Sequence, residues 1–99
     1  MTFFFHPEAE QEFVAAVEWY EERSEGLGLD FATEIRQAIS RAESMPLTWT
    51  EIAEDIRRVL VHRFPYGVLY SPSAHDIQIV AVMHLSRTPG YWQHRTATK

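Results

Sequence analysis

The sequence predicts a two-layer α+β domain in the order β-α-α-β-β-β, with a helix hairpin packed on a small, mostly antiparallel sheet. Three observations predict it. Apolar residues recur at helical spacing in two successive segments between residues 9 and 42. After residue 57 the pattern changes to short β-branched runs. Short Gly- and Pro-bearing segments, rather than long linkers, separate all of these. The 99 residues, 45% hydrophobic and 13% aromatic, suit a single domain spanning 1–99 with one compact core and exclude a disordered chain.

Thr2–His6, TFFFH, reads as a first strand. His6-Pro7 is the boundary, because proline at the first helical position has no N–H to lose and its φ is preset for a helix. Glu8, Glu10 and Glu12 follow where acids favour the helix dipole. Ala9, Phe13, Ala16, Val17 and Tyr20 form one apolar face, and Gly26 and Gly28 are expected to break the helix. A second helix is predicted over Leu29–Ser44, with Phe31, Ile35, Ala38, Ile39 and Ala42 on its apolar face and Pro46 beyond its end. Leu47–Asp55 reads as a polar connector. A strand is predicted at 57–64, RRVLVHRF, then a tight turn at Pro65-Tyr66-Gly67 and a strand at Val68–Tyr70. Ser71–Asp76 is turn-rich. Ile77–Leu85 is the longest β-branched run and the expected central strand, being apolar on both faces.

The net charge of −5 is unevenly spread. Residues 1–34 hold nine acids and one base, giving −8, whereas residues 57–99 hold six bases and one acid, giving +5. This asymmetry points to an anion-facing or acidic-partner-facing surface on the second half. Eight of the nine bases are arginine, the residue suited to bidentate contact with carboxylate or phosphate. The acidic total argues against broad nucleic-acid binding. No apolar run approaches the roughly 20 residues of a membrane span. The start, MTFFFHPEAE, has no basic flank, so no signal peptide is expected and a cytoplasmic setting is. There is no cysteine, which excludes disulfides and zinc–thiolate sites. The five histidines have no metal-ligand spacing, and neither metal nor other cofactor is expected.

Chemistry gathers near the end, in HLSRTPGYWQHR, residues 84–95. Strict alternation places Arg57, Val59, Val61 and Arg63 on one face of their strand and Arg58, Leu60, His62 and Phe64 on the other. It likewise groups His84 with Val82, Val80 and Gln78. Arginines hold phosphate and neutralise developing charge, histidines transfer protons near neutral pH, and Tyr91 and Trp92 stack on bases. Arg63, His84, Arg87 and Tyr91 are therefore the candidate catalytic set if the protein cleaves RNA. Arg58, Arg87, Trp92 and Arg95 are the candidate target-binding set. The bland alternative is that Tyr91 and Trp92, after the turn Thr88-Pro89-Gly90, close an open edge of the core.

FHPEAEQEF, WYEERSEGLGLDFATEI, RRVLVHRFPYGVLY and IQIVAVMHLSRTPGYWQHR agree in order and spacing with a known family. The chain resembles the RelE/ParE superfamily of type II toxin–antitoxin toxins, the plasmid-stabilisation proteins, from about Phe3 to Arg95. The resemblance implies a RelE/ParE-like fold and a small cytoplasmic bacterial toxin neutralised by an antitoxin in a hetero-oligomer. One branch of the superfamily cleaves mRNA on the ribosome; the other poisons DNA gyrase. The lysines common in the ribonuclease branch are missing here, the only lysine being Lys99. The RTPGYW segment looks more like the ParE-like branch, which makes gyrase the expected target and ribosome-dependent RNA cleavage the alternative. Trp19, Leu27, Leu29 and Trp49 are apolar beyond core needs and are the expected antitoxin anchors.

Overall fold

The structure is a computed structural model that describes residues 2–96; Lys99 lies outside them. Five strands form one sheet: β1 (Thr2–Phe5), β2 (Thr50–Ala53), β3 (Ile56–Leu60), β4 (Tyr66–Pro72) and β5 (Asp76–His84). Their spatial order is β1-β5-β4-β3-β2, with β1 parallel to β5 and every other pair antiparallel. Two helices, α1 (Pro7–Arg23) and α2 (Leu27–Ser44), cover one face. The predicted two-layer α+β architecture is therefore present, with one strand more than expected.

The helices form where their apolar faces predict. His6 caps α1: its Nδ1 accepts the N–H of Glu8 at 3.1 Å, and Pro7 opens the first turn. The break between helices comes earlier than expected. Gly26, at φ +86°, makes the turn, while Gly28 lies inside α2. A Cβ at Gly28 would come within 2.6 Å of the Val17 carbonyl oxygen, so this glycine permits close packing of the hairpin. Glu21 fastens the turn by accepting the N–H groups of Gly26 and Gly28.

The connector 47–55 contains β2, which pattern reading missed. Four residues with one large apolar side chain carry little strand signal. What makes them a strand is pairing with β3 through a turn in which Asp55 adopts φ +62°, a region aspartate tolerates. The predicted strand at 57–64 stops at Leu60. Val61–Pro65 is a loop that carries Phe64 under the helices, not onto the face of Arg58. Tyr66 and Gly67 belong to β4 instead of a turn. The middle strand is β4, not β5; β5 is apolar on both faces because each face meets a different core.

The larger core lies between helices and sheet and includes Phe31, Ile35, Ile39, Val59, Val68, Tyr70, Ile77, Ile79 and Val82. Phe13, Tyr20, Phe31, Phe64 and Tyr66 pack edge-to-face and stacked inside it. A smaller core on the other sheet face joins Ile56, Leu69, Val80, Ala81 and Trp92. The C-terminal strap, residues 86–96, folds over that face, and Trp92, 5% exposed, is its plug. Tyr91 and Trp92 thus anchor the strap to the core, as their position after the turn suggested.

Register explains both cores. Tyr70 pairs with Ile79 and Leu69 with Ala81, so Val80 is an extra residue that shifts the alternation by one. Ile77 and Ile79 before the bulge, and Val82 after it, all face the helices. The expected grouping of His84 with Val80 and Gln78 therefore does not form.

Candidate functional site

β1 ends at Phe5, opposite Ile79, while β5 continues to His84. Beyond Ile79 the outer edge of β5 meets side chains of α1 and the strap instead of a strand. Glu12 is the hub. Its Oε1 accepts the Val82 N–H at 3.0 Å, and its Oε2 accepts the Tyr91 hydroxyl at 2.6 Å. Arg95 donates to both carboxylate oxygens at 2.9 Å and to the Val80 carbonyl at 3.1 Å. The Arg95 side chain is 6% exposed and that of Glu12 17%, so this pair is shielded and, at bidentate geometry, strong. Glu8 extends the network to Arg95 at 3.3 Å and to His94 at 2.9 Å. Burial and the acceptor Glu12 push the Tyr91 phenol well above the usual tyrosine range. The hydrogen bond to Glu12 raises the Arg95 guanidinium further above its ordinary value.

Of the grooves around this network, two hold the predicted residues Arg58, His84 and Arg87. The first, about 380 Å³, lies between α1 and the end of β5 and is lined by Glu12, Ala15, Trp19, Tyr20, Tyr66, Val82, His84 and Arg87. His84 packs edge-on against Tyr66, and its Nδ1 accepts the Ser86 N–H at 3.1 Å. That leaves Nε2 as a donor. The second groove, about 470 Å³, lies on the helix-free face among Ile52, Arg58, Met83, Leu85, Arg87, Pro89 and Trp92. Arg87 borders both, its guanidinium 3.9 Å from the centre of the Tyr91 ring.

The predicted residues separate on this geometry. His84 and Arg87 share the first groove, and Arg58, Arg87 and Trp92 share the second. Arg63 lines neither and pairs with Asp30 at 3.4 Å. Tyr91 has its hydroxyl committed to Glu12, and the Arg95 side chain, 6% exposed, is turned inward to the same carboxylate. Of the four apolar anchors, Trp19 and Leu29 are 51% and 67% exposed, Trp19 under the Arg23 guanidinium at 3.6 Å. Leu27 and Trp49 pack against the main core, and the Trp49 indole donates to the Arg41 carbonyl. Glu12 was not singled out from the sequence. The signal was present, since Ala9, Glu12 and Ala16 follow i, i+3, i+7 and place this acid inside the apolar stripe of α1.

The sequence matches the family described as the ParE toxin of the type II toxin–antitoxin system, parDE, over residues 3–89. The chain belongs to that family. Membership makes it a ParE-like type II toxin whose partner is an antitoxin. A solved structure titled "Chromosomal ParDE TA system from P. aeruginosa" has the same fold, with a TM-score of 0.72 at 14% identity over 87% of this chain and 97% of that one. Comparison with curated proteins finds no match. The family match ends at residue 89, within the strap, so Tyr91 and Trp92, which close the second core, lie beyond it. Among the described residues no helix is long and apolar enough to cross a membrane, and no three His, Asp or Glu side chains gather where a metal would sit.

Proposed function

We propose that this toxin acts in the bacterial cytoplasm by binding DNA gyrase, and that its antitoxin holds it in a hetero-oligomer. The observation that carries the reading is that two of the four candidate catalytic groups, Tyr91 and Arg63, are engaged in contacts within the fold. The Tyr91 hydroxyl donates to Glu12, and its raised pKa makes it a poor proton donor or base at neutral pH. Arg63 sits in a half-exposed ion pair with Asp30. Arg58, Arg87 and Trp92 remain around the groove on the helix-free face, a cationic and apolar surface suited to protein recognition. Arg95 contributes by holding the strap that forms one wall. Purified toxin in excess over gyrase is expected to inhibit supercoiling, and Arg58→Glu is expected to weaken that inhibition about tenfold or more. Full supercoiling activity in the presence of a folded, unmodified sample refutes the gyrase target.

A second reading, ribosome-dependent RNA cleavage, is favoured by one observation: His84, as a donor through Nε2, and Arg87 line one groove with Tyr66. Primer extension on translated mRNA would then reveal cuts that vanish in Arg87→Ala. Intact message with growth arrest rejects this reading and leaves the first.

A further inference from the structure

Arg41 and Arg57 donate to backbone carbonyls, and Arg63 and Arg95 pair with carboxylates. Among the described residues, the guanidinium groups of Arg58 and Arg87 have neither kind of partner; that of Arg87 lies over the Tyr91 ring. The Nε of Arg58 is buried and unbonded. A guanidinium drawn out of water without an acceptor is costly, and an anion at its terminal nitrogens offsets that cost. Both arginines line the groove on the helix-free face, and no acid lines it with them. In a chain with 14 acids to nine bases, that is a local reversal of charge. Their neighbours are apolar. Ile52 and Leu85 are exposed there, Met83 and Pro89 join them, and Trp92 forms the floor. Gly67 makes room for Arg58: a Cβ there would come within 3.3 Å of the Arg58 Cγ and Cδ and 3.6 Å of Leu85. The bare backbone lets the arginine stem lie close over β4, beside Leu85. The acids Glu54 and Asp55 line an adjoining groove, which shares Ala53, Trp92 and Gln93 with this one. They confine the positive field to the end that holds Arg58 and Arg87.

We infer that this groove is a carboxylate-binding site for a short acidic and apolar segment of gyrase. Arg58 and Arg87 hold an aspartate or glutamate of that segment, and a bulky apolar side chain next to it lies against Ile52, Leu85 and Trp92. A carboxylate is the anion that fits, because a guanidinium takes it in bidentate geometry. A nucleic-acid strand would instead bring a line of phosphates against a chain of net charge −5, with Glu54 and Asp55 next to the groove. The apolar rim offers a free small anion nothing to bury, but it gives a peptide side chain a place to leave water. The inference rests on the gyrase reading and adds the chemistry on gyrase that the toxin selects.

The probe is a blocked synthetic peptide, acetyl-Asp-Leu-Glu-Phe-amide, compared with its neutral counterpart, acetyl-Asn-Leu-Gln-Phe-amide. Each is titrated into the full chain while the Nε–H resonances of the arginines are followed. The acidic peptide is expected to move the Arg58 and Arg87 resonances, to leave that of Arg95 still, and to bind at least tenfold more tightly than the neutral one. Arg58→Gln should lose most of that preference. In excess, the acidic peptide should also relieve the toxin's inhibition of supercoiling. Equal binding of the two peptides, binding of neither, or a shift confined to other arginines overturns the inference; the gyrase reading stands if the toxin still inhibits supercoiling. A toxin that leaves supercoiling at its full rate refutes the gyrase reading itself. Selective binding without relief of inhibition overturns gyrase as the source of the segment. A single-stranded DNA oligonucleotide that moves both resonances at lower concentration than the acidic peptide overturns the inference in favour of a nucleic-acid site.

Discussion

The two cores of this toxin are held by different physics. The core under the helices is broad and continuous, built from side chains whose helical and strand periods all point the same way. The core under the strap is small, five buried residues with Trp92 among them, and its cover is tied across the sheet edge chiefly by the Glu12 carboxylate. Many weak contacts share the load in the first; in the second, the loss of one group releases several hydrogen bonds together. The lesson is that the strap is the part of the fold that a single change can detach.

Phe31→Ala should remove about 4 kcal/mol, because the ring is fully buried at the centre of the aromatic cluster. Chemical denaturation should show one cooperative transition at lower midpoint, with Trp92 and the helices lost together. Glu12→Ala should cost about 3 kcal/mol, leaving Arg95 and the Val82 N–H without their partner in a shielded site. Here the difference between cores predicts a split. Trp92 emission should shift to the red and the amides of β5 near Ala81 should exchange faster, at denaturant levels where the helices remain. If the helices and Trp92 still unfold as one, the cores are a single cooperative unit and the contrast fails.

Gly28→Ala tests the larger core at a tight backbone contact. The added Cβ meets the Val17 carbonyl oxygen, which cannot swing away, so the hairpin must part slightly at a cost of about 1–3 kcal/mol. Thermal unfolding should show it as a lower midpoint, with the native Trp92 emission before the transition unchanged. The smallest effect concerns the rim of the strap. The hydrogen bond from His94, with Arg95 nearby, lowers the Glu8 carboxyl below its ordinary value of 4.5. A carboxylate with a depressed folded pKa contributes stability above its unfolded pKa and loses it as pH falls through the folded one. Glu8→Gln should therefore lower stability slightly at pH 7 and flatten the shallow loss below about pH 4.5, the two proteins converging at acid pH; the effect is small because the Glu8 side chain is half-exposed. Unfolding curves from pH 3 to 7 check this; an unchanged acid limb in the variant shows that the contact contributes nothing.

Much of the fold was legible in the chain. Both helices follow from apolar residues at i, i+3 and i+4 spacing, and β5 follows from its β-branched run. β2 was not legible, because TEIA has one large apolar residue and becomes a strand only against β3. Phe64 was misplaced because alternation was extended past Leu60, where the chain leaves the sheet. Of the site, His84 and Arg87 were visible as chemistry, and Arg58 and Trp92 were visible as neighbours in composition. Glu12 was hidden among eight other acids of the first 34 residues, since its partners come 70 to 83 positions later.

The sequence by itself determined the helix hairpin, the run of strands after it, the polarity between an acidic first half and a basic end, and the family. These rest on local periodicity and on composition, which need no knowledge of what lies across the molecule. Tertiary structure alone decided the rest. The extra residue at Val80 turns Val82 and His84 toward α1, and only pairing with β4 creates it. The joining of Glu12 to Tyr91 and Arg95 depends on where β1 stops, because the sheet edge it leaves bare must have its polar groups paired. Those two features divide the terminal cluster between a buried fastening and a surface that faces partners.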